Sequence, residues 1–173
     1  RRSRPGCRPL NPAILRRADE LYGDNEIVSR LPDKSWHRYT YADFVTRTKK
    51  LIVALRSLGL EDGDRVGTFM WNHSQHLEAY IGAPAGGFVT HTLNLRLHPD
   101  DNTYIATHAG DRVLIVDKVL WPLAEQFAGR CSFEHVITAG DGPAPEGTID
   151  YEELLSGADE SEFSYRELDE RSA

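Results

Sequence analysis

A chain of 173 residues, 40% hydrophobic and 27% charged, is long enough to bury roughly 70% of its unfolded surface around one core, so a single compact unit is expected. It holds no apolar run approaching the ~18 residues of a membrane-spanning helix, and its two cysteines, Cys7 and Cys131, show neither metal-site spacing nor the number a disulfide framework needs; no membrane span and a reducing, cytoplasmic setting are the expectations. The net charge of −7 is uneven, because six arginines fall in the first seventeen residues with no acid among them, leaving 14 basic residues against all 27 acids further on.

Such a basic arm can serve nucleic-acid or membrane-surface contact through counterion release. Here Pro5, Gly6 and Pro9 break any helix and no apolar stretch follows, so residues 1–11 read as a flexible leader, neither a secretory signal nor a nucleic-acid partner. Asn11 with Pro12 at the first helical position opens a helix through Leu21 and Tyr22, ended by Gly23. Glu26 to Arg30 and Lys34 to Tyr39 read as two short strands around a turn at Pro32-Asp33, paired as a hairpin.

Thr40 with Asp43 three residues on is a capping-box start, after which Tyr41, Phe44, Val45, Thr48, Leu51, Ile52, Leu55 and Leu58 recur at helical spacing until Gly59. Asp43, Arg47, Lys49, Lys50 and Arg56 fall on the opposite, wet face. Glu61 to Asp64 is turn chemistry, and Arg65 to Met70 is a buried strand. Ser74 is placed to cap a helix carrying Leu77, Tyr80 and Ile81, broken by Gly82, Pro84, Gly86 and Gly87. Phe88 to Leu93 is the next strand, Pro99 opens a helix through Ala109, and Arg112 to Val116 is an apolar strand ending at Asp117. Val119, Leu120, Leu123 and Phe127 mark a further helix, and His135 to Thr138 a last strand.

Strands and helices alternating at this spacing predict an α/β fold, with a mainly parallel sheet covered by helices on both faces, over residues 12–139. Residues 141–173 hold eleven acids against two arginines, so 140–173 reads as an acidic linker with at most a short helix at Tyr151 to Leu155.

Gly82 to Gly87 has the composition of a phosphate cradle, but it precedes a strand, contains Pro84 and lacks a following Lys-Ser or Lys-Thr pair; a tight helix-to-strand turn is expected instead. His73 and His76 stand three apart near a helix start without the four-residue spacing or third ligand of a zinc site, and are expected to be surface or packing residues. His91, His98 and His108 have no partner that the sequence assigns, so no triad and no catalytic residue is read. Arg96 is the one polar residue singled out. It lies just past a strand end, where open α/β sheets place ligands and a guanidinium grips phosphate; the alternative is an ion pair with Asp100 or Asp101.

Taken in order, Tyr39 to Phe44, Gly63 to Val66, Trp71 to Ser74 and Leu93 to Leu97 resemble the opening third of adenylate-forming acyl-CoA synthetases, most closely long- and medium-chain fatty-acid CoA ligases. Pro84 and Gly87 depart from the family's wording at the turn between helix and strand. The resemblance implies an N-terminal subdomain of an enzyme that uses ATP, Mg2+ and CoA to convert a fatty acid to an acyl-adenylate and then a thioester. It implies a contact of Arg96 with the CoA nucleotide phosphate, and it is compatible with a homodimer. The family's phosphate loop, its ribose-binding Asp and its C-terminal catalytic Lys have no counterpart in this sequence, and Phe163 to Ala173 resembles the stretch just before that loop. The 173 residues are therefore expected to be inactive alone. The alternative is a stand-alone α/β binding or dimerisation module without catalysis.

Overall fold

The computed structural model describes residues 11–31 and 33–165; the leader up to residue 10, Pro32 of the expected hairpin turn and the tail from 166 onward lie outside the described residues. The chain runs α1 (Asn11–Tyr22), β1 (Glu26–Arg30), β2 (Trp36–Thr40), α2 (Tyr41–Ser57), β3 (Arg65–Phe69), α3 (Ser74–Ala85), β4 (Val89–Thr92), α4 (Pro99–Ala109), β5 (Asp111–Asp117), α5 (Trp121–Ala128), β6 (His135–Ala139), β7 (Ile149–Asp150) and α6 (Tyr151–Ser156). β1 and β2 form the expected antiparallel hairpin, and the other five strands form one parallel sheet in the order β4-β3-β5-β6-β7.

The two-residue period of the strands sorts the core onto two faces. Val113 and Ile115 of β5 join Val66, Ile137 and the apolar sides of α1, α2, α3 and α6. Leu114 and Val116 point the other way, with Phe69, against Ala106 of α4 and Ala124 and Phe127 of α5. The parallel sheet with helices on both faces is thus as the alternation of elements predicts. Among the described residues no helix is long and apolar enough to cross a membrane.

α2 begins as its sequence dictates. Thr40 Oγ1 accepts from the Asp43 N–H at 3.1 Å while Asp43 Oδ2 accepts from the Thr40 N–H at 2.9 Å, a complete capping box, and Gly59 takes a φ of +90° beyond the helix. α3 departs from expectation at both ends. Its N-cap is His73, with no side-chain capping bond, and Ser74 is buried as its first residue. Its last turn includes Gly82 and Pro84, so Gly82 to Ala85 is helix rather than turn, and only Gly86 and Gly87 form the connection. Side-chain bulk is excluded on either side of Pro84: a Cβ on Gly82 would lie 3.1 Å from Thr48 Cγ2, and one on Gly86 would lie 2.8 Å from Ile52 Cγ2. The glycines let α3 and its exit pack closely on α2.

Two further readings are corrected by packing. Arg47 is not on a wet face, since α3 and α6 both lean against it. The stretch after Gly140 is not wholly extended away from the sheet: Ile149–Asp150 adds a parallel edge strand to β6, and Tyr151, fully buried, and Leu155 join the core. The acids of this segment mask the few apolar residues that anchor it.

Candidate functional site

In an open parallel sheet a crevice forms at the carboxyl ends of two neighbouring strands whose onward connections leave to opposite faces. β3 connects through α3 to β4 on one side, whereas its neighbour β5 continues through α5 to β6 on the other. At that point lies a cleft of about 560 Å³, lined among others by His73, Ser74, Gln75 and Glu78 of the β3 exit and α3, Asp117 and Val119 of the β5 exit, and Gly140, Asp141 and Glu152 beyond β6.

The two strand ends are tied across the cleft floor. Asp117 Oδ2 accepts from the Trp71 N–H at 2.7 Å, and its Oδ1 lies 2.7 Å from His73 Nε2, with both side chains almost entirely buried. Among the described residues nothing hydrogen-bonds His73 Nδ1. The imidazole is therefore held by a carboxylate at one nitrogen and borders the cleft, an arrangement that fixes its orientation and tautomer. Next to it His76 donates from Nδ1 towards the Trp71 carbonyl (3.1 Å) and accepts at Nε2 from Thr68 Oγ1 (3.2 Å), a tautomer assigned from its partners. Burial pulls the His76 pKa down, the Trp71 carbonyl opposing it.

The deeper wall is an ion-pair hub. Arg47 of α2 donates to both oxygens of Glu78 (Nε at 2.8 Å, Nη2 at 3.2 Å) and to both oxygens of Glu152 (2.8 and 2.7 Å). The Tyr151 hydroxyl donates to Glu78 Oε2 at 2.8 Å, and Gln75 donates to Glu152 Oε1 at 2.7 Å. Burial pushes the Glu78 carboxyl up against the pull of Arg47. Glu152 is raised by burial, but its bonds from Arg47 outweigh that and hold it below the usual carboxylate range. Every formal charge in the hub has a partner, so its role is to lock α2, α3 and α6 together.

His73 and His76 are both hydrogen-bonded within the fold, and the sequence gives no sign of Asp117 as the partner of His73. Similarly, His91 Nδ1 pairs with buried Asp111 at 2.8 Å, and His98 Nδ1 caps α4 by accepting from the Asp100 N–H at 3.3 Å. Strand ends would have been the usable signal: His73 and Asp117 each follow or close a strand of the central pair. Arg96 lies away from this cleft, in the exposed turn after β4, where its N–H donates to Asn94 Oδ1 at 2.9 Å. Neither ion pair, with Asp100 or with Asp101, forms: Asp100 pairs with Arg130 at 2.6 Å, and among the described residues the Arg96 guanidinium has no ion-pair partner. Among the described residues no group of three or more His, Cys, Asp or Glu gathers as a metal site.

Comparison with known proteins agrees with this architecture. A long-chain-fatty-acid–CoA ligase of Thermus thermophilus is 45% identical over 142 residues, which is 82% of this chain and 26% of the relative. A 3-methylmercaptopropionyl-CoA ligase of Ruegeria lacuscaerulensis is 33% identical over 172 residues, or 95% of this chain and 31% of the relative. The solved structure of a benzoate CoA ligase from Burkholderia xenovorans superposes with a TM-score of 0.71 at 25% identity, covering 86% of this chain and 28% of that one. The chain thus spans roughly a quarter to a third of the length of these relatives. Residues 15–160 match the AMP-binding enzyme family, and the chain belongs to it.

Proposed function

We propose that these residues are the N-terminal part of a fatty-acid CoA ligase. In its first step a fatty-acid carboxylate oxygen attacks the α-phosphorus of ATP, forming an acyl-adenylate and releasing pyrophosphate; in the second the CoA thiolate attacks the acyl carbon and AMP leaves. The observation that carries the reading is the 45% identity with a long-chain-fatty-acid–CoA ligase over most of this chain. A medium-chain-fatty-acid–CoA ligase of Ectopseudomonas oleovorans, 29% identical over 168 residues, supports the same acyl class.

The glycine-rich stretch before β4 does not suit the phosphates of a nucleoside triphosphate. Gly82 to Gly87 lies at the carboxyl end of α3, which presents carbonyl oxygens and the negative end of the helix dipole, and among the described residues no acidic cluster gathers for a metal. The part these residues take in adenylation is therefore that of a scaffold. Arg96 is the exception. Its exposed guanidinium, without an ion-pair partner among the described residues and beyond the carboxyl end of β4, suits the CoA nucleotide phosphate. A cytoplasmic setting accords with the free thiol of Cys131, and a homodimer is open to light scattering.

The test is direct. The intact enzyme carrying these residues, given ATP, Mg2+, CoA and a fatty acid, is expected to form AMP and acyl-CoA, and the 173-residue chain alone is expected to show no ATP–pyrophosphate exchange. Failure of the intact protein to release AMP with any fatty acid would overturn the acyl class, and exchange by the chain alone would overturn the scaffold role.

A further inference from the structure

Residues 141–165 contain eight acids and no lysine or arginine, yet they stay on the molecule. Each end of the segment is fixed by a cation from the body. Lys118 Nζ donates to Asp150 Oδ2 at 2.6 Å and to the Gly142 carbonyl at 2.5 Å. Arg47 holds Glu152, and Lys50 lies 3.6 Å from Glu160. At the far end Arg16 stacks over the Tyr165 ring at 4.7 Å. The apolar anchors are Ile149, Tyr151, Leu154, Leu155, Phe163 and Tyr165, of which Tyr151 is fully buried and donates its hydroxyl to Glu78 at 2.8 Å.

The covalent and hydrogen-bonded attachment to the sheet is slight. β7 is a two-residue edge strand, paired to β6 alone through Ile137 with Ile149 and Thr138 with Asp150, so its loss leaves the other four strands intact. Before it come Gly140, Gly142 and Gly147, with φ of +104°, +87° and +77°, which supply a glycine-rich pivot. The segment also contributes Asp141 and Glu152 to the lining of the switch-point cleft that His73 and Asp117 border.

We infer that residues 141–165 are a charge-held strap that opens from the sheet as one unit and, in opening, removes one wall of the cleft and bares His73. An element fastened at a sheet edge opens before the central strands do, and its opening gives up the burial of Tyr151 and the bond from its hydroxyl to Glu78. The pairs that retain it are half-exposed at Glu152 and shielded at Lys118, so added salt weakens the first more than the second. The inference does not depend on which reaction the family member carries out.

Hydrogen–deuterium exchange read by mass spectrometry on the intact protein carrying these residues tests it, with diethyl pyrocarbonate labelling of histidines as the second readout. Glu152→Gln and Lys118→Gln each remove one fastening while leaving the Arg47–Glu78 pair whole. Amides of 149–158 are expected to exchange roughly fivefold faster in either variant, and in the parent chain at high salt, with those of 114–116 unchanged. His73 labelling is expected to rise in step, whereas exposed His98 keeps its rate. Equal acceleration of 114–116 would show that the segment opens only with the whole fold and overturn the strap. Faster exchange at 149–158 with constant His73 labelling would overturn the link to the cleft, and no change in either variant would overturn both.

Discussion

Asp117 closes β5 with two donors aimed at its carboxylate, so Asp117→Ala isolates what ties the two central strand ends together. The Trp71 N–H and His73 Nε2 each lie 2.7 Å from it, and Asp117 is 3% exposed. Hydrogen bonds to a charged acceptor contribute about 1.5–3 kcal/mol each, and water reaches a site this buried poorly enough that neither is fully replaced. Release from burying the carboxylate offsets part of the loss, so about 3 kcal/mol is expected, or a fall in Tm of about 6–12 °C for a chain of this size. Asp117→Asn keeps an oxygen for Trp71 and offers its amide N–H to His73 Nε2, provided the imidazole proton moves to Nδ1. It should cost only about 1 kcal/mol. Urea unfolding followed by tryptophan fluorescence is well suited, because Trp71 sits at the tie. His73→Ala should cost much less in the Asp117→Ala background than in the parent, since the shared bond is already gone. Equal costs for Ala and Asn, or fully additive effects of the two sites, would refute the tie.

Gly86→Ala is expected to lose about 1–3 kcal/mol by overpacking, since its φ of −81° suits any residue and the penalty is purely the Cβ contacts with buried Ile52 and Phe88; a denaturation midpoint equal to the parent's would contradict the close approach of α3 to α2. His76 has its pKa lowered by burial, so the unfolded chain binds a proton more readily than the folded one, and stability should fall as pH drops from about 6.5 through the depressed folded value. His76→Gln removes that component, and a denaturant series from pH 7.5 to 5 in which both proteins lose stability in parallel would argue against it. In the intact ligase, Arg96→Ala is expected to raise the KM for CoA several-fold with little change for fatty acid, and an unaltered KM for CoA would sink the phosphate contact.

Most of the fold is legible because local signals and tertiary context agree over most of the described residues up to 139. Thr40 with Asp43 names the start of α2 chemically, and the apolar run ending at Asp117 is a parallel-sheet strand on any reading. Misreadings occurred where tertiary packing overrides a local rule. Pro84 ends helices in isolation, yet in the last turn of α3 the helix continues to Ala85 around it. Arg47 sits among polar neighbours in sequence, and only the fold brings buried Glu78 and the acid of Glu152 to it from 31 and 105 residues away. The acidic stretch after Gly140 looked too polar to pack because composition averages over the segment, whereas burial is decided by one side of it, Tyr151 and Leu155.

The candidate site was the least legible part, and the reason is topological. His73 and Asp117 are 44 residues apart, and nothing in either neighbourhood says that β3 and β5 lie side by side with β4 on the far edge. Strand order decides which carboxyl ends face one another, and it is fixed by the sum of all crossovers rather than by any local stretch. The same fact explains why Arg96, chosen because it follows a strand, ended outside the cleft: it follows β4, the edge strand, whereas the crevice opens between the two strands whose chains diverge. A residue after a strand is thus a ligand candidate at the cleft only where its strand flanks the switch point. For Arg96, exposed at the sheet edge, a contact with CoA therefore requires the ligand to lie along that edge and not in the crevice.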